Sequence, residues 1–149
     1  MEMETVLPTR GQLERQITQT VQSLYRSQFG HLPGKISCHL FNKNIAIVAE
    51  NTITNIEKIL LDNSKLDLAS NIRAAIDKTF LVEIEREIAN ILQVEVAETI
   101  SNSTLDTGYL GIIVFLDRTP QMRIAAKEYR KYKKITVSSV GENIYQYIN

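Results

Sequence analysis

The sequence predicts an α+β fold, helix–hairpin–helix–hairpin–helix, with a four-stranded antiparallel sheet and the helices packed on one of its faces. Three observations carry this. Apolar residues recur at three- and four-residue spacing over residues 10–29 and again, unbroken, over 65–92. Two pairs of short runs rich in branched side chains alternate with those stretches, each pair joined by a polar turn. The 149 residues, 44% hydrophobic and 23% charged, suffice for one ordinary core, which excludes disordered, collagen-like and disulfide-framework classes.

The first helix is expected from Arg10 to Phe29. Thr9 and Gln12 form a capping box at its start, and Gly30-His31-Leu32-Pro33-Gly34 stops it. Leu13, Ile17, Thr20/Val21, Leu24 and Gln28 mark its inward stripe. Lys35–Phe41 and Ile45–Glu50 read as a hairpin about Asn42-Lys43-Asn44, because asparagine tolerates left-handed turn angles. Alternation along the first of these strands aims Cys38 at the core.

Thr54-Asn55-Ile56-Glu57 is a second capping box, opening a short helix through Asp62. Asn63-Ser64 breaks it, and Ser64 is expected to cap a long helix from Lys65 to Leu92. Ala69, Ile72, Ile76, Phe80, Ile84, Ile88 and Ile91 make its stripe. At roughly 1.5 Å per residue it is about 40 Å long, enough to form the spine of the fold. A second hairpin runs from Val94 through a polar loop at 102–108 to Asp117. Thr119-Pro120 then signals a last helix reaching Lys134, followed by a tail to Asn149. The expected division is an α+β domain at 9–118 with a basic helix and tail at 119–149.

Several motifs fail on inspection. Gly30–Lys35 has three residues between its glycines where a phosphate loop has four, and it leads from helix to strand. His31, Cys38 and His39 lie close in sequence, but neighbours on one strand point to opposite faces, which defeats both a metal site and a Cys–His pair. Glu83, Glu85 and Glu87 spread around a helix as a solvated face. No catalytic, cofactor-binding or metal-ligating residue is therefore assigned, and no cofactor is expected. The acidic start Met1-Glu2-Met3-Glu4 and the lack of a 20-residue apolar run lead to a cytoplasmic expectation.

One charge anomaly stands out. Between Arg118 and Lys134 seven basic residues face Glu128 alone, a net +6 in a chain that sums to zero. Arg123, Lys127, Arg130, Lys131 and Lys134 share a helical stripe, and Tyr145 and Tyr147 in the tail add a docking segment; these seven are the expected partner-binding residues. The stretch suits an acidic protein surface, anionic lipid headgroups or nucleic-acid phosphates.

Gly11, Gly30-x-x-Pro33-Gly34, Ile53-Thr54-Asn55-Ile56-Glu57, Arg73 and Val114-Phe115-Leu116 together resemble the MpsC-like family, across residues 9–116. Some members are encoded beside a cation- and bicarbonate-linked system that generates membrane potential, and the family lends no catalytic residues. The resemblance implies a small non-enzymatic accessory or regulatory protein acting through protein contacts, with a membrane transport component as partner and a place at the inner membrane face. Edge strands needing cover and the long helix add self-association, a dimer first. The alternative is a nucleic-acid-binding module using the basic helix at 119–134. Thr54 and Glu57 are expected to serve as a helix cap, and Arg73 as a structural ion pair.

Overall fold

A computed structural model of the chain describes residues 6–124. Its elements are α1 (Arg10–Phe29), β1 (Ile36–Phe41), β2 (Asn44–Ala49), α2 (Asn55–Asp62), α3 (Leu66–Leu92), β3 (Val96–Ser103) and β4 (Leu110–Leu116). The described residues thus form helices and one antiparallel sheet, the α+β class read from the sequence. Residues 13–120 make one compact unit, and the described residues 6–12 and 121–124 belong to another.

Helix α1 opens on the expected box: the Thr9 N–H donates to Gln12 Oε1 at 2.9 Å, and the Gln12 N–H to Thr9 Oγ1 at 3.2 Å. Its buried stripe is Leu13, Ile17, Val21 and Tyr25, spaced by four. Tyr25 takes the inward place that periodicity gave to Leu24 and Gln28, because its hydroxyl finds buried partners described below.

The strands lie in the order β1-β2-β4-β3, so the two hairpins meet through β2 and β4. Register pairs Cys38 with Ile47 and Ile47 with Ile112, and likewise Leu40 with Ile45 and Ile45 with Val114. These residues are buried and share one face with Ala49, Leu110 and Leu116. Phe41, Val48, Ile100 and Ile113 occupy the opposite face and are exposed. A sheet buried on one side gives this alternation, and it fixes register, since a one-residue slip would turn the whole core set to solvent.

Helix α2 carries the second predicted box, Thr54 with Glu57. The start of α3 corrects an expectation. Ser64 is not its cap: it sits at φ 59°, the left-handed region, and Lys65 occupies the cap position without a side-chain bond. The Ser64 N–H donates to Leu61 O and the Lys65 N–H to Leu60 O at 2.8 Å, a Schellman ending for α2. That motif needs a left-handed residue, which is what serine's short chain supplies here at a cost glycine would avoid. Ser64→Gly is accordingly expected to stabilise the fold by about 0.5 kcal/mol, read by urea unfolding; a loss of stability would contradict it.

The helix expected from Thr119-Pro120 does not begin there, since residues 119–124 are not helical. A helix from that cap would send the Arg123 N–H to residue 119. Instead it donates to Pro8 O at 2.9 Å, beside a parallel bridge between Thr9 and Arg123. The remainder of the expected basic helix and tail lies outside the described residues.

Candidate functional site

Arg73 is a charged residue on the inward stripe of α3, between Ala69 and Phe80. It is 4% exposed and must be satisfied internally. One of its terminal nitrogens donates to Thr52 O at 3.2 Å and Thr52 Oγ1 at 3.1 Å; the other donates to the Tyr25 hydroxyl at 2.7 Å. The Tyr25 hydroxyl in turn donates to Thr52 O at 2.5 Å.

The remaining nitrogen, Nε, lies 3.2 Å from Glu57 Oε2 and 3.6 Å from Asp77 Oδ1. These three atoms are buried and make no aligned hydrogen bond, so their contact is an electrostatic one. The other Glu57 oxygen accepts from Thr54 N–H at 3.2 Å and Thr54 Oγ1 at 2.9 Å. Glu57 is therefore both the cap partner of α2 and the buried counter-ion of α3. Asp77 Oδ2 accepts from the Ser103 hydroxyl on β3, and Thr52 Oγ1 donates to Gly108 O at 2.9 Å. One guanidinium thus ties α1, α2, α3 and the segment before α2 together, and Thr52 links them to the loop before β4.

Two carboxyl groups face one guanidinium. Burial holds the Asp77 carboxyl above its usual range, against the Ser103 bond and Arg73, with Glu57 adding to the rise. Burial likewise raises the Tyr25 hydroxyl, opposed by Arg73. A carboxyl whose folded pKa lies above its unfolded value contributes stability as pH falls through that raised value, and this contribution is lost toward neutrality. Asp77→Asn is expected to be as stable as the parent or more so at pH 7, and to flatten the gain in melting temperature on acidification. A sharp loss at pH 7 would show that the Asp77 charge is required.

Beside this cluster lies an open groove of about 310 Å³, lined by Phe29, His31, Thr54, Ile56, Ile72 and Ile76 among others. Ile56 and, further along α2, Ile59 are strongly exposed, as is Leu68 one turn before Ile72 on the same stripe of α3. His31 bonds the Asn51 carbonyl at 2.7 Å. The charged groups sit behind this wall, with Glu57 at 0% exposure. The groove offers branched apolar side chains, whereas the ionisable groups hold one another.

The residues expected from sequence fall elsewhere. Arg123 is exposed, and its Nε donates to Leu7 O at 2.9 Å. Lys127, Arg130, Lys131, Lys134, Tyr145 and Tyr147 lie outside the described residues. Cys38 and His39 do face opposite ways: the thiol is buried and pushed up to about 12, chiefly by burial and then by the Glu14 carboxylate, while the His39 side chain is 80% exposed. No group of three or more potential metal ligands occurs among the described residues. Sequence reasoning placed Glu57 and Arg73 separately but missed Tyr25, Thr52, Asp77 and Ser103. Arginine on an apolar stripe, with Asp77 four residues on, was the available signal.

Fold and site define a small α+β protein with a buried ion cluster and, beside it, an apolar groove. A family model described as "Na+-translocating membrane potential-generating system (MpsC)" matches residues 9–118, and the chain belongs to the MpsC family. No curated protein and no solved structure matches it. No helix among the described residues is long and apolar enough to cross a membrane.

Proposed function

We propose that this chain is a non-enzymatic accessory or regulatory protein of a membrane-potential-generating system, acting at the cytoplasmic face through protein contacts and self-association. The observation that carries the reading is the exposed apolar groove between α2 and α3 beside an ion cluster sealed from solvent. An enzyme needs its acid, base or nucleophile within reach of substrate, and a groove of isoleucines with the carboxylates turned inward suits a partner's side chains better. The family description supports a transport component as that partner. The basic stretch with Arg123, Lys127, Arg130, Lys131 and Lys134, and the tail with Tyr145 and Tyr147, supply a second contact toward it.

The test is made in the protein's own cells. Deleting the gene is expected to lower the Na+-dependent membrane potential reported by a voltage-sensitive dye. The parent chain should restore it, and the groove variant Ile56→Asp/Ile72→Asp, checked for an unchanged circular dichroism spectrum, should not. A potential unaffected by the deletion, or restored equally by the variant, would refute the proposal.

The net +6 stretch favours one second reading, nucleic-acid binding. That reading requires an affinity for RNA or DNA that falls steeply with salt.

A further inference from the structure

We infer that the outer edge of β3 is the seam through which two copies of this chain pair, antiparallel about a twofold axis at Ile100, into one eight-stranded sheet. The inference rests on the self-association reading and names the surface it uses.

A four-stranded open sheet has two edges, and on each of them one of three outward amides is capped within the chain. In β1, the Glu50 N–H donates to Lys35 O, so by alternation the N–H groups of Ile36, Cys38 and Leu40 point away from β2. The outward Leu40 N–H is already taken, donating to Glu14 Oε2 of α1 at 2.8 Å. In β3, the Thr104 N–H donates to Tyr109 O, which continues the β3–β4 register as a hydrogen-bonded pair. The N–H groups of Thr99, Ser101 and Ser103 therefore point outward. Ser103 is capped by the neighbouring Asn102 Oδ1 at 3.0 Å. Thr99 and Ser101 have no such cover among the described residues. From Val96 to Ser103 the strand carries one charge, Glu98, beside the bulge at its start, and neither lysine nor proline.

The sequence of that edge also selects one register. A β-bulge between Val96 and Glu98 removes the strand's start from regular pairing, and the Asn102 cap removes its end. What remains is centred on Ile100. With Ile100 opposite Ile100 of a second copy, Thr99 faces Ser101 and Glu98 faces Asn102 on each side of the axis. Thr99 and Ser101, whose amides point outward, then form the two hydrogen-bonded pairs. Ile100 falls in the close, non-hydrogen-bonded pair.

Each juxtaposition answers something seen in the single chain. Ile100 is 57% exposed and lies beside exposed Ile113 in the sheet register, so the pairing joins two apolar rows into one. The buried Thr99 hydroxyl has no hydrogen-bond partner among the described residues, and a serine hydroxyl would face it across the seam. Shifting the axis by one residue in either direction sets the bulge or the capped Ser103 amide against the partner. A twofold axis requires a patch complementary to itself, and this strand is.

The test uses the full chain. Sedimentation equilibrium is expected to give twice the monomer mass at micromolar concentration. S101P removes an outward amide and leaves the ladder to β4 intact, so it should raise the dimer dissociation constant at least about tenfold with an unchanged circular dichroism spectrum. In a C38S background, I100C should form an intermolecular disulfide under mild oxidation, because the paired Cα atoms lie about 4.5 Å apart. N102C, which faces Glu98 of the other copy, should not.

Loss of the dimer in S101P together with cross-linking confined to I100C would support the seam. A dimer that persists in S101P, or that fails to cross-link at position 100, would overturn the seam while leaving self-association through another surface. A parent chain that stays monomeric would overturn both.

Discussion

Arg73→Met is expected to lower the unfolding free energy by about 3–5 kcal/mol, among the largest effects of any single substitution in this protein. Methionine fills the space of the arginine stem but removes the counter-ion of Glu57, which is 0% exposed, and leaves that carboxylate with only its Thr54 bonds. The Tyr25 hydroxyl and the Thr52 carbonyl lose a charged donor in the same step. A hydrogen bond to a charged group is worth about 1.5–3 kcal/mol when buried, so several such losses fit the upper part of that range.

The double variant Arg73→Met/Glu57→Gln is expected to recover much of the loss, because it removes both charges and keeps the capping box through the glutamine oxygen. Urea unfolding of the parent, both single variants and the double variant closes the cycle. Losses that simply add would mean that Glu57 and Arg73 do not interact across the core. The contrast with Asp77→Asn sharpens the point. Removing a carboxylate whose charge is disfavoured relieves the cluster, whereas removing its only guanidinium strands what remains.

Phe80→Ala should cost about 3–5 kcal/mol by a different mechanism. Phe80 is 1% exposed and meets Tyr25 edge to face, with ring centroids 5.1 Å apart, and Phe29 at 6.1 Å. Tyr25 and Phe29 pack on each other at 4.9 Å, so three rings close a triangle where α1 runs over α3. Alanine leaves a void that the surrounding isoleucines cannot fill without leaving their rotamers. Phe29 also lines the apolar groove, so the substitution should loosen that wall as well as lower stability. Phe80→Leu should retain most of the stability, measured by thermal unfolding. If both variants lost equally little, the ring triangle would not be part of the core.

Much of this protein is legible residue by residue. Helix α1 runs from Arg10 to Phe29 because a Thr–Gln box starts it and Gly30 can take the left-handed angle, φ 63°, that ends it. The same local logic gives α2, opened by Thr54 and Glu57. Cys38 faces inward because strand side chains alternate. The start of α3 was misread for a related reason. Serine before a helix suggests a cap, but at Ser64 the preceding helix had first claim, using it as a left-handed ending. Thr119-Pro120 misled in the same way, since the Arg123 amide goes to Pro8, far away in the sequence.

The candidate site shows where local reading stops. Thr54 and Glu57 announce a cap, and nothing within four residues of Glu57 says that its second oxygen faces Arg73 on the next helix. Tyr25 was passed over because periodicity cannot distinguish a tyrosine turned to water from one whose hydroxyl is held by residues 27 and 48 positions away. Periodicity, caps and turn residues act over a few ångströms and a few positions, so the sequence by itself determined the helices, the hairpins and the α+β class. The tertiary structure alone decided that β2 and β4 join the hairpins and that Tyr25, Thr52, Glu57, Arg73 and Asp77 converge. The reason is physical: a buried charge takes whichever partner the packing of distant segments brings within reach, and that packing is settled by the whole core at once.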